Sequence, residues 1–356
     1  MSNLINSINI VNAGPTRFFS FKDPTRINLL IGGNGSGKTF LLKMLYSAIR
    51  TIETFHRGDD IRSITDILSD KLRWTLQTDR IGELVRRGVS EPLFFEFNLE
   101  DQHFSYSFSP SASVKIKNVE LIKKGRAANS IFLPAKEVLS IFSVIKKSRE
   151  IDLSFGFDDT YYDLVKALSF DPMRENNNSA LLKSQKVLRE IIKGKIDFDK
   201  NSMRWFYKDN NNCKYSIGVV SDGIKKISIF DRLLVNGYLN NNSIVFIDEI
   251  ESSLQPNTIC KFLDIVDDIS EHMGVLFFIT THSQLTLKKL YLVAKKRKGT
   301  VTCISLNNNH SIDICDLYYG IPENGIIDIV ADLYNNETEG EFEHEKLITE
   351  IAKNSY

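Results

Sequence analysis

Long apolar runs are missing from this 356-residue sequence: nowhere do 18 apolar residues follow one another, so no segment is expected to span a membrane. An excess of one charge is missing too. Lys plus Arg and Asp plus Glu number 45 each, which excludes a global field drawing the chain to nucleic acid or to a membrane surface. There are only four cysteines, Cys213, Cys260, Cys303 and Cys315, with no C-x-x-C spacing and no partnered histidines. That pattern speaks against zinc and against a disulfide framework, and fits a reducing compartment. The N-terminus lacks a basic stretch followed by an apolar core, so no secretion signal is expected and the protein reads as cytoplasmic. Internal repeats and sustained heptads are absent as well, which leaves no long coiled coil.

What is present is an ordinary globular composition, 42% hydrophobic and 25% charged, long enough for one large domain or two. Residues 5–11 and 17–21 read as strands around a Gly14-Pro15 turn. Helix is expected from Thr39 to about His56 and again from Asp60 to Arg87. Alternation at 94–97, 104–108 and 114–117 predicts an antiparallel sheet, and Ile131-Phe132-Leu133 another strand, stopped by Pro134. A helical block is expected from Lys136 to about Lys193, followed by short strands at 195–198, 203–208 and 214–217. From residue 243 the order strand, helix, strand, helix, strand implies a mostly parallel sheet covered by helices. One more strand and two helices are expected in the last fifty residues. Two basic clusters, Lys295 to Lys298 and Lys123 to Arg126, read as solvated helix ends or turns, with a nucleic-acid backbone contact as the alternative.

The chemistry is concentrated at residues 27–40. The apolar run Ile27 to Ile31 leads into Gly32, Gly33, Asn34, Gly35, Ser36, Gly37, Lys38 and Thr39, which spell G-x-x-x-x-G-K-T, and an apolar helical pattern follows from Phe40. Strand, Gly-rich loop and helix in that order make a phosphate-binding loop: glycines admit the phosphate, and backbone N–H groups and the helix N-terminus face it. Lys38 is expected on the β- and γ-phosphates and Thr39 on Mg²⁺. The apolar strand 243–247 ends in Asp248 and Glu249, an acid for Mg²⁺ and one to polarise the attacking water. A second apolar strand ends at Thr281-His282-Ser283, where His282 is expected to sense the γ-phosphate. His56, His103, His272, His310 and His344 lack such a context and read as structural. Ser221-Asp222-Gly223 opens a helix whose N-terminus suits a phosphate, although an ordinary capped helix reads the same way.

Phosphate loop, S-D-G helix, I-D-E strand, S-S-L-Q-P loop and T-H-S strand follow one another in an order that resembles the ATP-binding cassette superfamily. The closer resemblance is to its SMC/RecF-like branch, among small prokaryotic ATPases related to overcoming-lysogenization-defect and Septu-type defence proteins. It covers residues 1 to about 335. It implies an α/β ATPase head with a mostly parallel core sheet, an antiparallel β-lobe and helical segments inserted at about 57–90 and 136–193, with 336–356 as a C-terminal tail. Ser221 and Gly223 fall where the family has its S-G-G signature, with Asp222 a departure, and Glu251 to Pro256 resembles the D-loop. Ile131 to Ser140 and Asp158 to Leu168 are similar to stretches between the two halves of these ATPases; Glu137 stands where the superfamily places a Mg²⁺-sensing Gln, so a metal-shell role is expected of it. In the family the signature contacts ATP held by a second subunit, which implies a homodimer or higher homo-oligomer. The resemblance further implies slow ATP hydrolysis and control of an effector, a nuclease or toxin encoded nearby, in antiphage defence. A RecF-like DNA-binding role is the alternative, and a self-contained nuclease with a Toprim domain is not expected, since no acid followed by D-x-D at a strand end follows His282.

Overall fold

In the computed structural model, which describes residues 4–99, 102–120, 125–173, 179–307 and 311–322, runs of strands and runs of helices follow one another. The first part comprises β1 (Ile5–Ala13), β2 (Thr16–Lys22), β3 (Ile27–Gly32), α1 (Lys38–Thr54), α2 (Ile64–Leu76), β4 (Leu93–Leu99), β5 (Gln102–Phe108), β6 (Asn118–Glu120) and β7 (Ile131–Leu133). The middle holds α3 (Phe142–Glu150), α4 (Asp159–Leu168), α5 (Ser179–Ile192), β8 (Gly194–Asp199), β9 (Arg204–Asp209) and β10 (Lys214–Ser216). The last part holds α6 (Asp222–Val235), β11 (Ile244–Ile247), α7 (Pro256–Met273), β12 (Leu276–Thr280), α8 (Gln284–Arg297), β13 (Val301–Leu306) and β14 (Ile312–Asp316).

Six strands form the central sheet in the order β14-β13-β3-β12-β11-β7, parallel except for the antiparallel edge strand β14. Strands β3, β11 and β12 are buried on both faces, as a sheet covered on both sides requires. Ile27, Leu29 and Ile31 of β3, Val245 and Ile247 of β11, and Phe277 and Ile279 of β12 enter one core, shared with α3 to α8. Leu30, Ile244, Phe246, Leu276 and Phe278 enter the other, with α1, α2 and the antiparallel sheet β2-β1-β4-β5-β6. Period-two alternation thus assigns each strand residue to a core. On the second face Phe132, Phe246 and Phe278 stack across three neighbouring strands, with Tyr46 of α1 edge-on to the first two. The helix behind the phosphate-binding loop is therefore clamped between two sheets. A third small sheet, β10-β9-β8, packs Trp205 and Phe198 around Phe142.

Three expectations change. Helix does not run from Asp60 to Arg87; α2 stops at Gln77, which is left-handed (φ 50°), and a short 3₁₀ turn follows at Ile81–Leu84. The chain there bonds to residues 112 and 113 instead, and a Cβ on Gly82 would lie 2.2 Å from the Pro110 carbonyl oxygen, so tertiary contact overrides helical spacing. Residues 114–117 are not a strand: the Ile116 N–H donates to Ser69 Oγ and Lys115 pairs with Asp66, both on α2. Residues 136–141 are not helical, because the Glu137 carboxylate takes the N–H groups of Leu139 and Ser140 and closes a local turn instead. Of the expected C-terminal elements only the strand is seen, as β14; the two helices and the tail lie outside the described residues. Among the described residues no helix is long and apolar enough to cross a membrane.

Candidate active site

The loop between β3 and α1 is shaped by Gly37, whose φ of 95° caps the helix in the left-handed region. A Cβ there would stand 2.7 Å from Pro15 Cγ, so only glycine lets the loop pass the β1–β2 turn. Lys38 is 6% exposed, and its ammonium donates to the carbonyls of Gly32 and Gly33, each at 2.9 Å. Burial lowers its pKa, and Asp248, Glu249 and Glu251 pull it back up. This is a cation seated on two backbone carbonyls, with three carboxylates close enough to favour its charge.

Thr39, the next residue, donates its hydroxyl to Asp248 at 2.9 Å. Asp248 also accepts from Thr280 Oγ1 at 2.7 Å, and the Thr280 hydroxyl in turn accepts from the Glu249 N–H at 2.8 Å. One fully buried hydroxyl at the tip of β12 therefore holds the Asp248 carboxylate and the Glu249 backbone at the tip of β11. The parallel pair Ile247↔Ile279 sets this up by bringing the next residues, Asp248 and Thr280, side by side. Glu249 is itself left-handed (φ 46°), a costly conformation for a residue with a Cβ.

An open cleft of about 450 Å³ gathers these groups. Asn34, Gly35, Gly37, Lys38, Thr39, Asp248, Glu249, Thr280 and His282 line it, with Pro15 and Phe40 at its apolar side. Gly33 and Ser36 close the loop behind, through the Ser36 N–H on the Gly33 carbonyl and Ser36 Oγ 3.5 Å from the Lys38 ammonium. The His282 backbone N–H donates to Glu251, which also accepts from Thr281 Oγ1, so Glu251 fixes the segment that follows β12.

Ser221, Gly223 and Glu137 do not line this cleft. Ser221 is exposed at the N-terminus of α6, and Gly223 backs onto the Ser253 carbonyl, which a Cβ would approach to 2.6 Å. Glu137 accepts from its own loop on one oxygen and from Lys225 of α6, at 3.3 Å, on the other. One arginine of each basic cluster is held by acids. Arg126 pairs with buried Glu53, and Arg297 with Asp267, Asp268 and Glu271, while residues 123 and 124 lie outside the described residues.

Sequence reasoning gave no role to Thr280 or Lys226, and placed Glu251 in a loop without its partners at the end of β12. The only hint for Thr280 was its place at the end of an apolar strand, and the parallel register that makes it a partner of Asp248 is not written in that strand. Hard oxygen donors at Thr39 and Asp248, a buried cation at Lys38 and a glycine-lined loop together fit a nucleoside triphosphate with Mg²⁺.

Comparison with known proteins agrees with that chemistry. The sequence profile of a family described as "AAA domain, putative AbiEii toxin, Type IV TA system" matches residues 27–288. No curated protein matches the sequence. Among solved structures, the Smc head bound to the C-winged helix domain of ScpA is similar, at 10% identity and TM-score 0.54, over 88% of this chain and 98% of that one. The SMC head domain from Thermotoga maritima follows at 10% identity and TM-score 0.48, with the same coverage. At such identity the likeness to the ScpA-bound Smc head speaks for the fold alone, an α/β arrangement with a mostly parallel sheet.

Proposed function

The chain belongs to this family of AAA domains, and from that premise we propose that it binds and slowly hydrolyses ATP as a switch that acts through a partner protein. The observation that carries the proposal is the Thr39–Asp248 hydrogen bond, which joins the phosphate-binding loop to the acid-tipped strand across the cleft. Loop residues 32 to 39 would hold the phosphates: an anion offers the Lys38 ammonium a stronger partner than the two carbonyls it now bonds. Thr39 and Asp248 would hold Mg²⁺, which supplies charge neutralisation on the phosphate oxygens. Glu249 is the base beside the attacking water and His282 the γ-phosphate contact. Ser221 and Gly223, exposed and half-buried at the start of α6 outside their own cleft, are proposed to complete the site of a second copy.

Effector control in antiphage defence rests on the sequence resemblance. It is supported by the family's description, which names a putative toxin of a type IV toxin–antitoxin system. The partner is a nuclease or toxin encoded nearby, and the expected localisation is cytoplasmic.

Calorimetry with ATP, with and without Mg²⁺, tests the core of this. Lys38→Ala should weaken ATP at least about tenfold, since it removes a charge-assisted contact. Asp248→Ala should retain binding but lose its Mg²⁺ dependence. Unchanged affinity in Lys38→Ala would remove the nucleotide from the cleft.

A further inference from the structure

Two consecutive lysines of α6 reach the loops that leave two core strands. Lys225 goes to Glu137, after β7, and Lys226 goes to the segment after β11. The Lys226 ammonium donates to three backbone carbonyls, those of Glu249 at 2.8 Å and of Ile250 and Ser252 at 3.4 Å. An ammonium has three donors and the loop turns three acceptors toward it. The loop needs such a tie, because two of its non-glycine residues, Glu249 (φ 46°) and Ser253 (φ 64°), are left-handed. One turn earlier on the same helix face, Gly223 lies flat against the Ser253 carbonyl. Helix α6 therefore grips the loop at two points, by shape at Gly223 and by charge at Lys226. Lys226 is 7% exposed, and burial lowers its pKa to about 8 against the pull of Glu251, Asp248 and Glu249. A cation this deep is costly unless the three carbonyls repay it.

We infer that Lys226 is a positioning residue for Glu249: it holds the backbone of the Glu249–Ser253 loop in its left-handed course and so fixes the direction of the Glu249 carboxylate in the cleft. Turnover as a readout rests on the ATPase reading above, whereas the order of the loop does not.

The experiment compares wild type, Lys226→Met, Lys226→Arg and Glu249→Gln, with Lys38→Ala as the control for the ATPase reading. Lys226→Met should lower kcat at least about tenfold while the ATP Kd changes less than about threefold, and Lys226→Arg should recover most of the loss. In a Glu249→Gln background Lys226→Met should cost less than about twofold, because both act through one group. Amide hydrogen exchange over residues 249–253 should rise in Lys226→Met with residues 38 and 39 unchanged, whether or not ATP is turned over. Should the Met variant fail to fold, Lys226→Gln, with a shorter stem and a neutral donor, takes its place. Unchanged exchange in the loop, a kcat within about twofold of wild type, or losses that add in the double variant would each overturn the inference. Wild type with no Lys38-dependent hydrolysis would overturn the ATPase reading instead, and hydrogen exchange would still decide on Lys226.

Discussion

Thr280 shows how much one hydroxyl can organise. It donates to Asp248 and accepts from the Glu249 N–H, with no exposure to solvent. Thr280→Val keeps the shape and leaves both partners short of a bond, so it should cost about 1–3 kcal/mol in urea unfolding and raise the Mg²⁺ needed for half-maximal turnover. Asp231 of α6 is a contrasting case. Its carboxyl is buried, one oxygen has no partner, and its nearest cation, Arg189, is 4.0 Å away. Burial raises its pKa to about 6, only partly offset by Arg189 and Arg232. A raised acid favours the folded state below its unfolded pKa and loses that advantage as pH climbs through the folded value. Stability should therefore fall between about pH 4 and 6 by up to about 3 kcal/mol from this group. Asp231→Asn removes the titration, so its Tm should exceed that of wild type at pH 8 by more than at pH 5. Equal Tm differences at both pH values would count against a buried, titrating Asp231.

Helices α1, α2 and α4 are joined by charge as well as by packing. Lys71 of α2 sits 2.7 Å from Asp159 and 2.9 Å from Asp163, both on α4, and Tyr46 of α1 donates to Asp163 at 2.6 Å. At the start of α4, Asp158 caps the helix and pairs with Lys43 of α1 at 2.7 Å. Burial works against the charge on Lys71, but Asp159 and Asp163 outweigh it and raise its pKa; Lys71 and Arg50 hold Asp163 down to about 2 against the same burial. Such a cluster stands only while complete. Lys71→Met should cost about 3–5 kcal/mol by leaving two buried acids short of their cation. Because α1 carries the phosphate-binding loop at its start, the same variant should also weaken ATP binding, measured by calorimetry. A loss below about 1 kcal/mol would mean that the cluster is screened by solvent.

At the scale of the whole molecule, the cleft is open and Ser221 lies outside it. A second copy facing the first would bring that helix N-terminus to the phosphates. Glu249→Gln should therefore hold ATP without hydrolysing it and accumulate a dimer in light scattering, and adding Ser221→Arg should dissolve the dimer by crowding the phosphate face. A Glu249→Gln protein that stays monomeric at saturating ATP would remove the second copy from the reading.

The sequence by itself determined the phosphate-binding loop, the acid-tipped strand, the T-H-S strand and the doubly covered sheet. Each is a local signal: a strand, glycines and a helix adjacent in the chain, or apolar runs long enough to be buried on both faces. Only the tertiary structure decided which of these residues meet. Thr39 and Asp248 are 209 positions apart, and Thr280 reaches Asp248 through a parallel register that no single strand encodes. It also decided where local signals yield. Helical spacing at 77–87 gives way to Gly82 packed on Pro110, and alternation at 114–117 gives way to Ile116 docked on Ser69. Glu137 and Lys226 belong to the same class. Their types were legible but their partners were not, because a side chain's partner is fixed by what the packed core brings within 3 Å or so of it, and spacing along the chain carries no record of that.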